Sequence, residues 1–445
     1  MKANKGRTAR PRQPGSPWRA LAGAALLALA GCAAPNARLL DYRAATARAI
    51  ATSSYQDPYA RGNTLAAMDA VTVASLANEP RIVAQSVGMI EENAGAERGA
   101  LAGAVSLATW EGARRYIGET FERAWASVAG GAAYWQLGQH DNAAALWRNA
   151  AQIDGESDEG YREDYGPANF LLAKWYSTRR NEPDNARIYR DRLLRSAPQA
   201  QPIATDAALA GDNVVLLLEN GFGPRKLAEG PQGSILEYSE VTREWSFARL
   251  RANGRAVGND SVNLVDMRLQ AAKSLRPLTK EVWQAIRGTA VATGVGYGVY
   301  ELTDDPALGV LAALTTKALP ADQRQWLAVP GEVHAISARL EPGVYDFEIE
   351  FFGPGGAPRP ELRTTYRGVE VGDGWDAMLL VRPFAGLGER RLPDPAAPPT
   401  ILADKKAAAN PEAPVVLRSG VPDREWTRNP LYRYLPPAPE GGTAR

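Results

Sequence analysis

Five polar residues stand out by their neighbourhood. Asp322, Arg324 and Trp326 alternate within Ala321-Asp322-Gln323-Arg324-Gln325-Trp326-Leu327-Ala328-Val329-Pro330. They could face a ligand. The simpler reading is an ion pair and an aromatic plug that order the entry to a strand near 332–340. Glu219 and Lys226 flank the turn Gly221-Phe222-Gly223-Pro224 and admit the same two readings. The chain has two histidines. His140 reads as a solvated turn residue, and His334, in register with Ile336 and Leu340, as a half-buried hydrogen-bonded side chain. Neither has a neighbour at metal-ligand spacing. No Gly-x4-Gly-Lys-Ser/Thr phosphate loop and no Gly-x-Ser-x-Gly elbow occurs. Gly294, Gly296 and Gly298 do not match the dinucleotide spacing. Fifty acids leave a glycosidase pair open but do not select one. The eleven tryptophans fall mostly at helical or strand periods, which assigns them to core rather than to a carbohydrate platform. The expectation is therefore no catalytic constellation, no metal and no cofactor.

The single cysteine is the most informative residue. Lys2, Lys5, Arg7, Arg10, Arg12 and Arg19 form a basic region, followed by an apolar core from Ala20 to Ala30 and then Leu29-Ala30-Gly31-Cys32. The core is too short to span a bilayer. The order resembles a bacterial lipobox, which implies cleavage before Cys32 and acylation of its thiol. Residues 1–31 are then a lipoprotein signal peptide. Several acyl chains exceed what stable anchoring needs, since one chain is marginal. Ala33, where an aspartate would mark inner-membrane retention, points to the periplasmic face of the outer membrane. The mature chain keeps no thiol, hence no disulfide and no thiolate site. Removing six basic residues from 51 leaves 45 against 50 acids, a net charge of about −5. No basic block survives, so nucleic acid is not an expected partner.

The elements that must position these residues fall into two runs. Residues 32–60 read as a tether and 61–200 as a helical domain. Leu65, Met68, Val71 and Leu76 mark one helix, stopped by Pro80. Val83, Val87 and Ile90 mark the next, running into an Ala/Gly-rich stretch to Thr109. Phe121, Trp125, Val128, Ala132 and Trp135 form a stripe spaced four, three, four, three. Gly138 suits a helix stop, Asp141 a cap, and Ala143, Trp147, Ala150 and Ile153 a second stripe. Pro167 opens a third helix with Phe170, Ala173 and Tyr176, and Ala186, Tyr189 and Leu193 line a fourth that Pro198 closes. A small residue followed by an aromatic one a turn later is a tetratricopeptide interlock. The spacing from Ala143 to Ala186 is 43 positions, longer than the usual repeat of about 34 because of an acidic loop, Asp154 to Asp164. Such helices would offer a concave face to a partner.

Residues 205–385 read as a mixed domain. Val214–Leu218, Ile235–Val241 and Trp245–Leu250 predict strands. Lys280–Tyr300 and Ala307–Ala318 predict helices, the former weakened by four glycines. Ile336, Ala338 and Leu340 predict a strand joined through Glu341-Pro342-Gly343 to a second, in which Tyr345, Phe347, Ile349 and Phe351 alternate with acids. Leu362–Val369 and Ala377–Val381 would extend this small antiparallel sheet. Residues 386–445 predict a disordered tail, since eleven prolines fall in the last 53 positions. The fold class is α+β.

Four phrases resemble a family of bacterial lipoproteins with tetratricopeptide-like N-terminal halves. They are Tyr116-Ile117-Gly118-Glu119-Thr120-Phe121-Glu122-Arg123, Glu163-Asp164-Tyr165, Glu219-Asn220-Gly221-Phe222-Gly223-Pro224-Arg225-Lys226, and the run from Ala321 to Pro330. The resemblance covers about residues 60–355 and implies the same layout, with no activity to carry over. The expected function is an envelope interaction or scaffold protein, anchored to the bilayer through acylated Cys32 and engaging a protein partner through its helices. The alternatives are an envelope enzyme acting on glycan or peptide, with a cleft near Glu219 or Asp322, and an assembly or secretion accessory.

Overall fold

A computed structural model describes residues 64–101, 116–155, 163–229, 235–274, 324–375, 377–383 and 389–390. Cys32, Asp322, the stretches expected to be helical at 280–300 and 307–318, and the expected disordered tail lie outside the described residues, except that Glu389–Arg390 of that tail form a short strand. The chain is α+β, as the sequence predicts.

Six helices pair into three hairpins: α1 (Thr64–Ala77) with α2 (Pro80–Leu101), α3 (Thr120–Gln136) with α4 (His140–Asp154), and α5 (Gly166–Trp175) with α6 (Pro183–Ser196). Each hairpin turns on a residue of positive φ: Asn78 at 54°, Gly138 at 73° and Asn181 at 52°. Glycine and asparagine tolerate that conformation best, which is why they stop helices. Prolines 80 and 183 then restart α2 and α6 where no backbone donor is needed. The cap expected at Asp141 is not formed. The helix α4 begins at His140, two residues earlier than a cap at Asp141 would start it, and Asp141 falls in its first turn, where a negative charge still suits the helix dipole. The last turn of α5 widens into a five-residue π-turn, Tyr176–Arg180.

The helices are not equivalent. All ten residues of α5 and fourteen of seventeen in α3 are buried, against two of fourteen in α6. So α1, α3 and α5 are inner helices, and α2, α4 and α6 form the outer row. A 3-10 turn (Pro198–Ile203) and the short α7 (Asp206–Gly211) lead from α6 into the strands.

What covers the inner helices is a four-stranded sheet. Its order is β10 (Ala377–Val381), β1 (Val214–Asn220), β7 (Glu332–Ala338), β6 (Val262–Asp266), with β10 parallel to β1 and the others antiparallel. Every residue of β1, β7 and β10 is buried, as a sheet covered on both faces requires. On one face Val215, Leu217, Val333, Ala335, Met378 and Leu380 join the helical core. On the other, Val214, Leu216, Leu218 and Ile336 meet a second sheet. That outer sheet runs β11 (Glu389–Arg390), β9 (Thr364–Val371), β8 (Gly343–Phe352), β4 (Phe247–Ala252), β5 (Arg255–Val257). A hairpin of β2 (Lys226–Glu229) and β3 (Ile235–Tyr238) and the helix α8 (Met267–Ser274) complete the described elements.

Two sequence expectations need correction. β7 and β8 do not pair; Glu341-Pro342-Gly343 carries the chain from the inner sheet to the outer one. β10 does not extend the antiparallel sheet but adds in parallel to the edge of the inner one. The reason is burial. β7 has two apolar faces and must be covered twice, whereas β8 has one and can lie outside. The boundary near residue 205 is a change of element type, and the apolar core runs continuously across it.

The approach to β10 is wedged into the helices. The Trp375 ring lies 4.0 Å from Trp135 and 5.8 Å from Trp147, all stacked. Trp147 reaches this position because residue 131 is glycine; a Cβ there would stand 2.2 Å from its indole nitrogen. Arg179 donates to the Trp375 carbonyl at 2.9 Å and Gln136 to the Met378 carbonyl at 3.1 Å. The inner helices thus grip residues 375–381 of their own chain by ring stacking and by main-chain carbonyls. Trp375→Ala is expected to lower the unfolding free energy by about 3–5 kcal/mol, the cost of emptying a large core site. Urea denaturation measures it, and a loss under 1 kcal/mol would contradict the wedge.

Candidate functional site

The sequence-selected residues that the structure describes converge on the border between helices and sheets. At the N-terminus of α3, Glu122 lies wholly buried. Its carboxylate accepts the Glu119 N–H at 2.9 Å, the reach-back of a capping box, and the Trp326 N–H at 2.5 Å. It also accepts the Tyr116 hydroxyl. Burial pushes the Glu122 carboxyl up to about 7, against the pull of the Lys226 ammonium. Lys226, 2 % exposed, pairs with Glu119, and its N–H donates to Gln325 at 2.6 Å. The Trp326 indole donates to Thr72 of α1 at 3.0 Å. Arg324 lies over the Tyr116 ring at 5.5 Å, and Lys226 at 5.4 Å. Lys226, Arg324 and Trp326 therefore meet one another, as rivets between helices and strands.

Glu219 sits apart from them at the end of β1. It is 4 % exposed. The Trp125 indole of α3 donates to it at 2.9 Å, and Arg382 stands 3.4 Å away. Arg382 also donates to the Ala328 and Gly221 carbonyls at 2.5 and 3.0 Å. Burial raises the Glu219 carboxyl, with the Arg382 charge opposing. The glycines of the Gly221-Phe222-Gly223-Pro224 turn are required: at Gly221, φ is 57° and a Cβ would meet the Thr242 carbonyl oxygen at 1.8 Å.

A third cluster surrounds His334. Its Nδ1 is 3.4 Å from the Ser261 hydroxyl and its Nε2 3.4 Å from Glu332. Glu332 is further held by Arg243 at 2.5 Å and Asn220 at 3.0 Å. Burial holds the His334 imidazole below its ordinary value, so it is neutral at pH 7. Burial alone would raise Glu332, but bonds from His334 and Arg243 outweigh it and lower its carboxyl. Serine, histidine and glutamate in contact suggest a hydrolytic relay. The surroundings argue otherwise: the Ser261 oxygen accepts the Ala248 N–H at 2.8 Å, and Trp245 lies over the imidazole at 4.5 Å. Ser261, Glu332 and His334 are all buried, so the three form a structural hydrogen-bonded chain. His334 is buried at 4 % exposure rather than half-buried.

Lys174 in α5 is a fourth buried charge. Its ammonium donates to the carbonyls of Ala208, Leu209 and Asp212 at 3.2, 3.2 and 2.6 Å, closing the end of α7 as a cation should. Burial lowers it to about 8.

A hollow lined by Ser75, Asn78, Val83, Gln136 and Leu380 holds about 10 Å³, the room of one water. Among the described residues no three or more His, Cys, Asp or Glu side chains could hold a metal, and no helix is long and apolar enough to cross a membrane. Where a cleft was expected near Glu219, Trp125 donates to one carboxylate oxygen and Arg382 stands 3.4 Å from the other, which accepts no hydrogen bond.

Sequence reading named Glu219, Lys226, Arg324 and Trp326 but missed their counterparts Tyr116, Glu119, Glu122 and Arg382. The Glu119-x-x-Glu122 spacing at a helix start was the available signal. Arg382 had none, since its contacts lie up to 163 positions away. Arg382→Met is expected to cost about 3–5 kcal/mol by stranding the buried Glu219 charge. Pairing it with Glu219→Gln should recover at least 1 kcal/mol in a double-mutant cycle. Strict additivity in urea denaturation would show the pair to be uncoupled.

Compared with protein-family models, with curated proteins and with solved structures, the chain matches none.

Proposed function

We propose that this protein is a lipoprotein of the bacterial envelope, held at the periplasmic face of the outer membrane by acylated Cys32, and that it acts as an interaction protein through tetratricopeptide-type helix hairpins. The anchor rests on the ordered basic region, short apolar core and Leu29-Ala30-Gly31-Cys32. The repeat assignment rests on three hairpins with inner and outer helices and on the seating of Trp147 against Gly131.

The observation that carries the interaction reading is the division of helix faces. The inner face is occupied by the protein's own β10 and Trp375, so a partner meets the outer row. There α6 exposes Ile188 at 47 %, and its charges form exposed pairs: Arg187 with Asp184 at 3.1 Å and Arg192 with Glu163 at 2.6 Å. Such pairs contribute only about 0–1 kcal/mol each, so a partner can exchange them at little cost. The enzyme reading has no comparable support, since the Glu219 and Lys226 side chains are buried against Trp125, Arg382 and Glu119.

Metabolic labelling with an alkyne fatty acid should tag the wild-type chain and not Cys32→Ser, and mass spectrometry should find the mature N-terminus at Cys32. A photo-crosslinker at Ile188 should capture an envelope protein in cells, whereas one at Val344 on β8 should not. An unacylated chain defeats the anchor. Equal capture at both positions, or at neither, defeats the outer-row surface.

A further inference from the structure

Where α4, α5 and α6 meet, arginines lie on aromatic rings. Trp175 ends α5, and from the π-turn that follows Arg180 lies over its ring at 5.5 Å. Arg148 of α4 lies over the same ring at 5.4 Å. Tyr176 meets Trp175 edge-on at 4.9 Å and stacks on Tyr189 of α6 at 5.5 Å, the two planes 6° apart. Arg192, one turn along α6, lies over Tyr189 at 5.2 Å. Rings and guanidinium groups thus form one continuous patch.

Much of its hydrogen-bonding capacity is unused. Among the described residues Arg148 and the exposed Arg195 form no ion pair, and the half-buried Tyr176 and Tyr189 hydroxyls make no hydrogen bond. Arg180 spends one N–H on Glu182, at 3.1 Å. The patch is also positive on a negative protein. Residues 176–196 hold six arginines against three acids, whereas the mature chain is acidic by about five charges. A guanidinium laid on a ring keeps its N–H edges free and can meet a carboxylate through two parallel bonds. Trp, Tyr and Arg are the side chains that dominate binding energy at protein interfaces.

Resting on the outer-row reading above, we propose that this patch is the partner's seat and that the partner brings an acidic protein segment to it. Carboxylates of that segment meet Arg148 and Arg195 and the N–H groups of Arg180 that Glu182 leaves unused. Its apolar part covers Ile188, which precedes Tyr189 on α6. A lipid surface fits less well. Asp184 and Asp191 are exposed within the patch, and a continuous layer of lipid phosphates would face them too. Ile188 is the one exposed large apolar side chain of α6, too little to enter a bilayer.

Fluorescence anisotropy of labelled poly-L-glutamate, titrated with the mature acylated chain in non-ionic detergent, tests the chemistry. Binding should saturate, weaken with salt, and be about tenfold weaker in Arg148→Glu. Arg148→Lys keeps the charge and loses the planar fork, so its affinity should fall between the two. Arg255→Glu, on the exposed strand β5, should bind as the wild type does. Should Arg148→Glu fail to fold, Arg195→Glu repeats the measurement at an exposed site. Unchanged binding in the patch variants, or an equal loss in Arg255→Glu, overturns the acidic seat. So does displacement of the probe by inorganic phosphate or by phosphatidylglycerol micelles as readily as by unlabelled polyglutamate, which would give the patch to phosphate or to lipid. A doubled mass in light scattering that Arg148→Glu halves would give it to a second copy of the chain. In cells, capture by a photo-crosslinker at Ile188 should fall about tenfold in Arg148→Glu. Undiminished capture overturns the acidic partner while leaving the outer-row surface in place.

Discussion

The inner helices cannot stand in water, and the rest of the structure follows from that constraint. Every residue of α5 and nearly every residue of α3 is buried, which no surface helix allows. The outer helices cover one side. The other needs a broad apolar surface, and the inner sheet provides it through Val215, Leu217, Ala335 and Leu380. Met378 and Leu380 of β10, and the Trp375 ring of its approach, pack into the same core as the helices. The inner face of the hairpins is therefore part of the protein's own core.

A sheet buried on both faces sets the second constraint. Polar groups at its borders must find partners inside the protein, since water does not reach them. Glu122, Glu219, Glu332 and Lys174 each end a strand or helix there, and each is surrounded by donors or acceptors from elements distant in the chain. Buried charge pairs are weak sources of stability but strong sources of specificity of arrangement, because a wrong register would strand a charge. Here they fix how helices and sheets meet.

The comparison between sequence and structure is uneven for a physical reason. Helix periods, the glycine and asparagine stops, β1 and the alternation along β8 were legible because each is local, set by backbone preference and the side chains of one element. Strand partners were not. Glu341-Pro342-Gly343 reads as a hairpin turn and is a crossing between sheets, because pairing depends on which strand has two apolar faces and which has one. The polar clusters show the same limit. Glu219 and Trp326 were recognisable as unusual, but their neighbours Arg382 and Thr72 lie 163 and 254 positions away.

By itself the sequence determined the α+β class, the helical first half and strand-rich second half, the identity of most core aromatics and the lipobox resemblance at Cys32. These depend on residue type and short-range spacing, which a linear chain carries explicitly. Only the tertiary structure decided that β10 packs on the inner helices, and that Glu219, Lys226 and Trp326 are buried between helices and strands. Both outcomes depend on how apolar area far apart in the chain is shared out, and no local pattern encodes that.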